Sequence, residues 1–135
     1  MPSSLHQCVL QRFLIVCIIL YCSACDPFQA TEQLSVEQTY QRILTDDDII
    51  LLDVRSEEEF AAGHLPDAIN VPIYKFTSGL PELSFSKDDD IIVYCKSGPR
   101  AYFVQKVLQQ AGYIHIYDMR GHYSEWEKKD FPIQG

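Results

Sequence analysis

The chain carries two apolar runs of strand length, "IILLDV" at residues 49–54, interrupted only by Asp53, and "IIVYC" at residues 91–95. A strand with one wet face alternates apolar and polar residues. A strand that is apolar at every position is covered on both faces, as in parallel sheets flanked by helices. Acidic turns precede both runs, "TDDD" at 45–48 and "DDD" at 88–90. Helical segments lie between the strands. Ser35 with Gln38 makes a capping box and opens a helix over Val36, Tyr40, Ile43 and Leu44. Ser56 with Glu59 makes a second box and opens a short helix over 56–63 that stops at Gly63. "AINVP", residues 68–72, reads as a brief strand ended by proline, and residues 73–87 as one or two helical turns. A helix over 99–111 places Val104, Val107, Leu108 and Ala111 on one face, and Gly112 ends it. "YIHIYD" at 113–118 is a further strand and "YSEWEKK" at 123–129 a last helix. The expected fold is α/β, with a mainly parallel central sheet and helices on both faces.

The 135 residues suit one domain. A formal net charge of −8 argues against a nucleic-acid partner, but a local basic cluster can still hold a small anion. Four of the five cysteines, Cys8, Cys17, Cys22 and Cys25, lie within the first 25 residues. That stretch also holds "FLIVCIILYC" at 13–22, preceded by Arg12 and followed by "SAC". This is the layout of a secretory signal, and the run is shorter than the roughly 20 apolar residues of a spanning helix. "CSAC", residues 22–25, resembles the lipobox of bacterial lipoproteins, with Cys22 where leucine is usual and Cys25 as the lipid-bearing residue. An ordinary signal peptide and an uncleaved anchor are the alternatives. The expectation is a lipoprotein-type signal peptide over 1–24, a tether over 25–33 and a domain over 34–135. It places the protein in the bacterial cell envelope, exported, facing the periplasm and held to the membrane through Cys25. Cys95 is then the remaining thiol. A leftover cysteine in an exported protein pairs with another molecule or is reactive, and a buried inert cysteine is the bland alternative.

The residues after Cys95 favour reactivity. In "CKSGPR", residues 95–100, Gly98 precedes a proline, which pushes it out of the helical region as a capping position requires. Pro99 suits the first position of a helix, where its missing N–H costs nothing. The helix therefore begins just past the thiol, and its free N–H groups and positive dipole end face the loop. Lys96 and Arg100 add positive charge. All three effects favour thiolate and would cradle an anion. A thiolate in such a cradle suits attack on an anionic electrophile. Cys95 also lies beyond the carboxyl end of a central strand, where open α/β sheets bind ligands.

Three segments together resemble the rhodanese family of sulfurtransferases. "DVRSEEEFAAGHLPDAINVP", residues 53–72, is similar to the family's first signature. "IIVYCKSGPRA", residues 91–101, is similar to its active loop, Cys-x-x-Gly-x-Arg. "LQQAGYIHIYDMRGHYSEWEKKDFPI", residues 108–133, resembles its closing segment. Asp67 stands where glycine is usual, and aspartate tolerates a left-handed turn. His122 replaces the second glycine of the usual pair, and is expected to narrow the pocket mouth or to supply a contact. The related dual-specificity phosphatases carry a loop one residue longer than the six from Cys95 to Arg100. The tighter ring fits a terminal sulfur better than a phosphate.

The resemblance implies a rhodanese-like fold and a role for each site residue. Cys95 takes the outer sulfur of a donor such as thiosulfate, becomes a persulfide and passes the sulfur to cyanide or another thiophilic acceptor. Backbone N–H groups across Lys96, Ser97, Gly98 and Arg100 hold the sulfur's charge, and Lys96 meets the donor's sulfonate end. Arg100 binds anion or braces the loop against a carboxylate, and its planar fork favours bracing. Asp53 and Arg55 are architecture beside the site. No cofactor and no metal are implied, because the persulfide is the carrier, and the protein is expected to be a monomer. His64 and His115 are read as structural. Two other readings share the sequence: a non-catalytic module that recruits a partner, and a thiol redox or persulfide-relay protein fed by another protein.

Overall fold

The structure is a computed structural model and describes residues 31–135. The signal, lipobox and Cys25 readings lie outside the described residues. In chain order the elements are β1 (Glu32–Leu34), α1 (Val36–Thr45), β2 (Ile50–Asp53), α2 (Glu57–Ala61), β3 (Ile69–Asn70), a 3-10 turn (Ile73–Phe76), β4 (Ile91–Tyr94), α3 (Pro99–Gln110), β5 (Ile116–Met119) and α4 (His122–Lys128). The five strands form one sheet in the order β1-β5-β4-β2-β3, and every pairing is parallel.

The two apolar runs become the central pair. Ile50 to Asp53 of β2 lie opposite Ile91 to Tyr94 of β4. Alternate residues of each strand feed opposite cores. Leu52, Ile91 and Val93 pack with Ala101, Val104 and Leu108 of α3 and with Phe76. Leu51, Ile92 and Tyr94 pack with Val36 of α1 and with Tyr123 and Trp126 of α4. Helices therefore cover both faces, which is why neither strand alternates in polarity. Both capping boxes form, with the Ser35 and Ser56 hydroxyls accepting the N–H groups of Gln38 and Glu59.

Two boundaries differ from expectation. The tether read over 25–33 overlaps β1, because Glu32–Leu34 pair with Tyr117–Met119. This three-residue strand lies at the sheet edge and buries only Leu34, so it leaves no period to read. The last strand starts at Ile116, not at residue 113. Tyr113 instead closes the end of α3, its N–H donating to the Leu108 carbonyl at 3.1 Å, while its ring enters the core. Asp67 sits at φ 59°, the left-handed turn that aspartate tolerates.

Candidate active site

Cys95 is the first residue past β4, the middle strand of the sheet, and it is buried. Its backbone is held by the element that follows β5. Tyr123 N–H donates to the Cys95 carbonyl at 3.0 Å. Ser124 donates twice to the Lys96 carbonyl, through N–H at 3.1 Å and Oγ at 2.8 Å. From the other side, β2 continues past its last pair, and Val54 N–H donates to the Tyr94 carbonyl at 3.1 Å.

The chain then reverses through Gly98 into α3. Gly98 has φ 122° and ψ −47°, a region that glycine alone enters at no cost. The residue thus lies outside the right-handed helical region and caps the helix, as "GP" suggests. Pro99 is the first helical residue, and Tyr102 N–H closes the first turn on the Gly98 carbonyl at 2.9 Å. The reversal turns Gly98 N–H onto the Cys95 sulfur, at 3.0 Å from Sγ. A donor at that distance, at the start of a twelve-residue helix, stabilises negative charge on the sulfur.

Arg100 braces the loop. Its NH1 and NH2 donate to the two carboxylate oxygens of Glu59, at 2.5 and 2.9 Å. That hydrogen-bonded pair holds the Glu59 carboxyl down at about 2. Lys96 lies elsewhere: its ammonium pairs with Glu127 and sits 5.0 Å from the centre of the Tyr123 ring. Both partners are nearly half exposed, and such a pair is cheap to break. Ser97 is exposed at the loop tip.

Asp53 and Arg55 form a buried pair behind the loop. Arg55 donates through N–H, Nε and NH2 to the Asp53 carboxylate at 2.6–3.0 Å, and through NH2 to the Gly63 carbonyl at 2.7 Å. The guanidinium lies 3.8 Å from the Tyr123 ring centre, so it supports the residue that holds Cys95. Asn70 was not singled out from the sequence. Its amide donates to the Asp53 and Arg55 carbonyls at 3.0 and 3.1 Å and fixes the turn after β2. His64 is structural: it stacks on Phe60 and its Nδ1 bonds the Phe60 carbonyl at 2.8 Å.

The structure thus brings Cys95, Gly98 and Arg100 into one loop and keeps Asp53 and Arg55 beneath it. The assembly suits a nucleophilic sulfur whose charge, or whose adduct's charge, is held by backbone donors.

Comparison with known proteins identifies the family. The family model for the rhodanese-like domain matches residues 35–129. A sulfurtransferase of Allochromatium vinosum is 33% identical over 101 residues, covering 75% of this chain and 92% of that protein. Thiosulfate sulfurtransferase 16, a chloroplastic protein of Arabidopsis thaliana, is 41% identical over 93 residues, covering 62% of this chain and 78% of that protein. The human single-domain sulfurtransferase TSTD1 superposes with a TM-score of 0.67 at 25% identity, over 75% of this chain and 99% of that one. The chain also spans 51% of the length of two further plant relatives. With its parallel sheet, its Cys95 loop at the sheet's centre and a match over most of its length, the chain belongs to the rhodanese-like domain family.

Proposed function

We propose that this protein is a sulfurtransferase that moves a sulfane sulfur from thiosulfate, or a similar small anionic donor, to a thiophilic acceptor such as cyanide or a thiol. The carrier is a persulfide on Cys95. The observation that carries this reading is the Gly98 N–H on Cys95 Sγ at the start of α3. Relatives that carry the sulfurtransferase name support the reaction class.

The Cys95 thiolate attacks the outer sulfur of thiosulfate. A new S–S bond forms, the donor's own S–S bond breaks, and sulfite leaves with that electron pair. The terminal sulfur of the persulfide now carries the charge, within reach of the donors that held the thiolate. Lys96, released from Glu127, meets the sulfonate end as the donor arrives. Cyanide then attacks the terminal sulfur, a C–S bond forms, and the electron pair of the broken S–S bond returns to Cys95. Thiocyanate departs and the thiolate is restored.

The test is thiocyanate formation from thiosulfate and cyanide by the full chain, with Cys95→Ser alongside. Turnover that disappears in the variant is the expected result. A folded wild type that shows none, with Cys95 reduced, sinks the thiosulfate reading and leaves a protein-borne donor or a recruiting module.

We further propose that the domain is exported to the bacterial cell envelope, facing the periplasm and tethered by lipid on Cys25. Its support is the "SAC" after the apolar run. Labelling of the full chain with an alkyne fatty acid in a bacterial host checks it. Label retained in Cys25→Ser would reject that attachment site.

A further inference from the structure

We propose that His122 is a positioning residue for the sulfur-carrying cysteine: its imidazole accepts the Cys95 N–H and, facing Asp118 on its far side, seats the loop that presents the sulfur. The catalytic consequence rests on the sulfurtransferase reading. The seating of the loop does not.

His122 occupies an expensive position. Its backbone lies at φ 50°, where non-glycine residues are uncommon, and it is 6% exposed. A strained backbone and a buried polar ring persist where the surroundings over-determine them, and such outliers cluster at working sites. The surroundings here are specific. The β4–β5 register ends at Val93 opposite Asp118, so Cys95, two residues further on, lies beyond the ladder. Its N–H meets His122 Nδ1 instead, in a long bond of 3.4 Å.

An accepting Nδ1 leaves the ring proton on Nε2, which lies 3.8 Å from Asp118 Oδ1. Burial lowers the tendency of His122 to take a second proton, and the Asp118 charge opposes that only in part. Asp118 is itself fixed from two elements. Its Oδ1 accepts Gln105 Nε2 of α3 at 2.6 Å and its Oδ2 accepts Gln33 Nε2 of β1 at 3.4 Å.

The ring also lies against the other end of the loop. A Cβ on Gly98 would come within 3.1 Å of His122 Nε2. The imidazole therefore meets the nucleophile's own amide and the glycine whose N–H reaches the sulfur. With Tyr123 and Ser124, it makes three consecutive residues that hold Cys95 and Lys96. A glycine at this position would leave the Cys95 N–H without that acceptor.

Two readouts on the full chain test this. The first is nuclear magnetic resonance at pH 7, reading the His122 tautomer and the exchange of the Cys95 amide. The second is thiocyanate turnover. His122→Leu keeps bulk and removes the acceptor. His122→Asn supplies a carboxamide oxygen near the Nδ1 position and tolerates the left-handed backbone. The wild type should show the Nε2–H tautomer. His122→Leu should speed Cys95 amide exchange and lower kcat, each by about three- to tenfold, the worth of one net hydrogen bond. KM should stay within about twofold, since the group acts on the loop and not on free donor. His122→Asn should recover most of both effects. An Nδ1–H tautomer or an imidazolium in the wild type would overturn the proposal, and that measurement needs no variant to fold. Equal exchange in wild type and His122→Leu would overturn it too. A wild type without turnover that still shows the expected tautomer and exchange would remove the sulfurtransferase reading and leave the seating of Cys95 in place.

Discussion

Glu59 of α2 and Arg100 of α3 meet in a two-point ion pair across 41 residues of sequence, NH1 on Oε2 at 2.5 Å and NH2 on Oε1 at 2.9 Å. The same carboxylate accepts Ser56 N–H at 3.1 Å and so completes the cap of its own helix. One side chain therefore ties the first turn of α2 to the first turn of α3, and the Cys95 loop is closed between a strand and a braced helix.

This brace is acid-sensitive in a defined window. The folded carboxyl is held at about 2, mainly by its hydrogen bonds to Arg100, against an ordinary value of 4.5. The unfolded chain binds the proton first as pH falls. The stabilisation is therefore complete above about 4.5 and is lost between there and about 2. Both side chains are about one-third exposed, so the contribution is expected to stay under about 1 kcal/mol. Urea titrations of wild type and Glu59→Gln should run parallel above pH 5 and converge toward pH 2. A constant gap throughout would reject the assignment.

The Asp53–Arg55 pair predicts a larger and asymmetric effect. Their side chains are 0% and 2% exposed. Asp53→Ala leaves a buried guanidinium without its counter-charge and should cost about 3–5 kcal/mol. Asp53→Leu combined with Arg55→Met removes both charges and should cost less than Asp53→Ala alone. Equilibrium denaturation decides the order.

Gly98→Ala meets two obstacles, and a control separates them. Gly79 has a similar φ of 116° but open space around its Cβ position, whereas the Gly98 Cβ would press on His122 Nε2. Gly79→Ala should cost about 1–3 kcal/mol from backbone strain alone. Gly98→Ala should cost more and should lower thiocyanate turnover. Adding His122→Gly should return part of the excess stability. No recovery would mean that the ring is not what the new methyl meets.

Lys96 should govern donor affinity more than turnover. With its ammonium removed, Lys96→Met is expected to raise the KM for thiosulfate by about tenfold, the loss of one charged hydrogen bond, while kcat holds within about twofold. Glu127→Gln frees the ammonium and should shift KM the other way. A fall in kcat at unchanged KM would instead place Lys96 in the chemical step.

What could be read before the structure was what lies close together in the chain. Cys95, Gly98, Pro99 and Arg100 lie within six residues, so a strand end, a turn and a helix start declare themselves together. The central strands declared themselves because burial on both faces removes polar residues from both. Edge strand β1 did not, since only Leu34 of its three residues is buried. That Arg100 braces against a carboxylate followed from its shape, but that the carboxylate belongs to Glu59 required the fold. The amide of Asn70, which reaches back to the Asp53 and Arg55 carbonyls, is likewise a product of chain crossing. His122 stood out as a departure from the family pattern. Its place against the Cys95 amide came from the end of the β4–β5 ladder, which no local pattern records.

The hold of α4 on Cys95 also orders events during synthesis. The thiol emerges from the ribosome 27 residues ahead of His122 and further ahead of Tyr123 and Ser124. Until those residues arrive, the loop can form but its first carbonyls and amide are unheld. In a chain made from its N-terminus, α4 is thus the element that completes the hold on this loop.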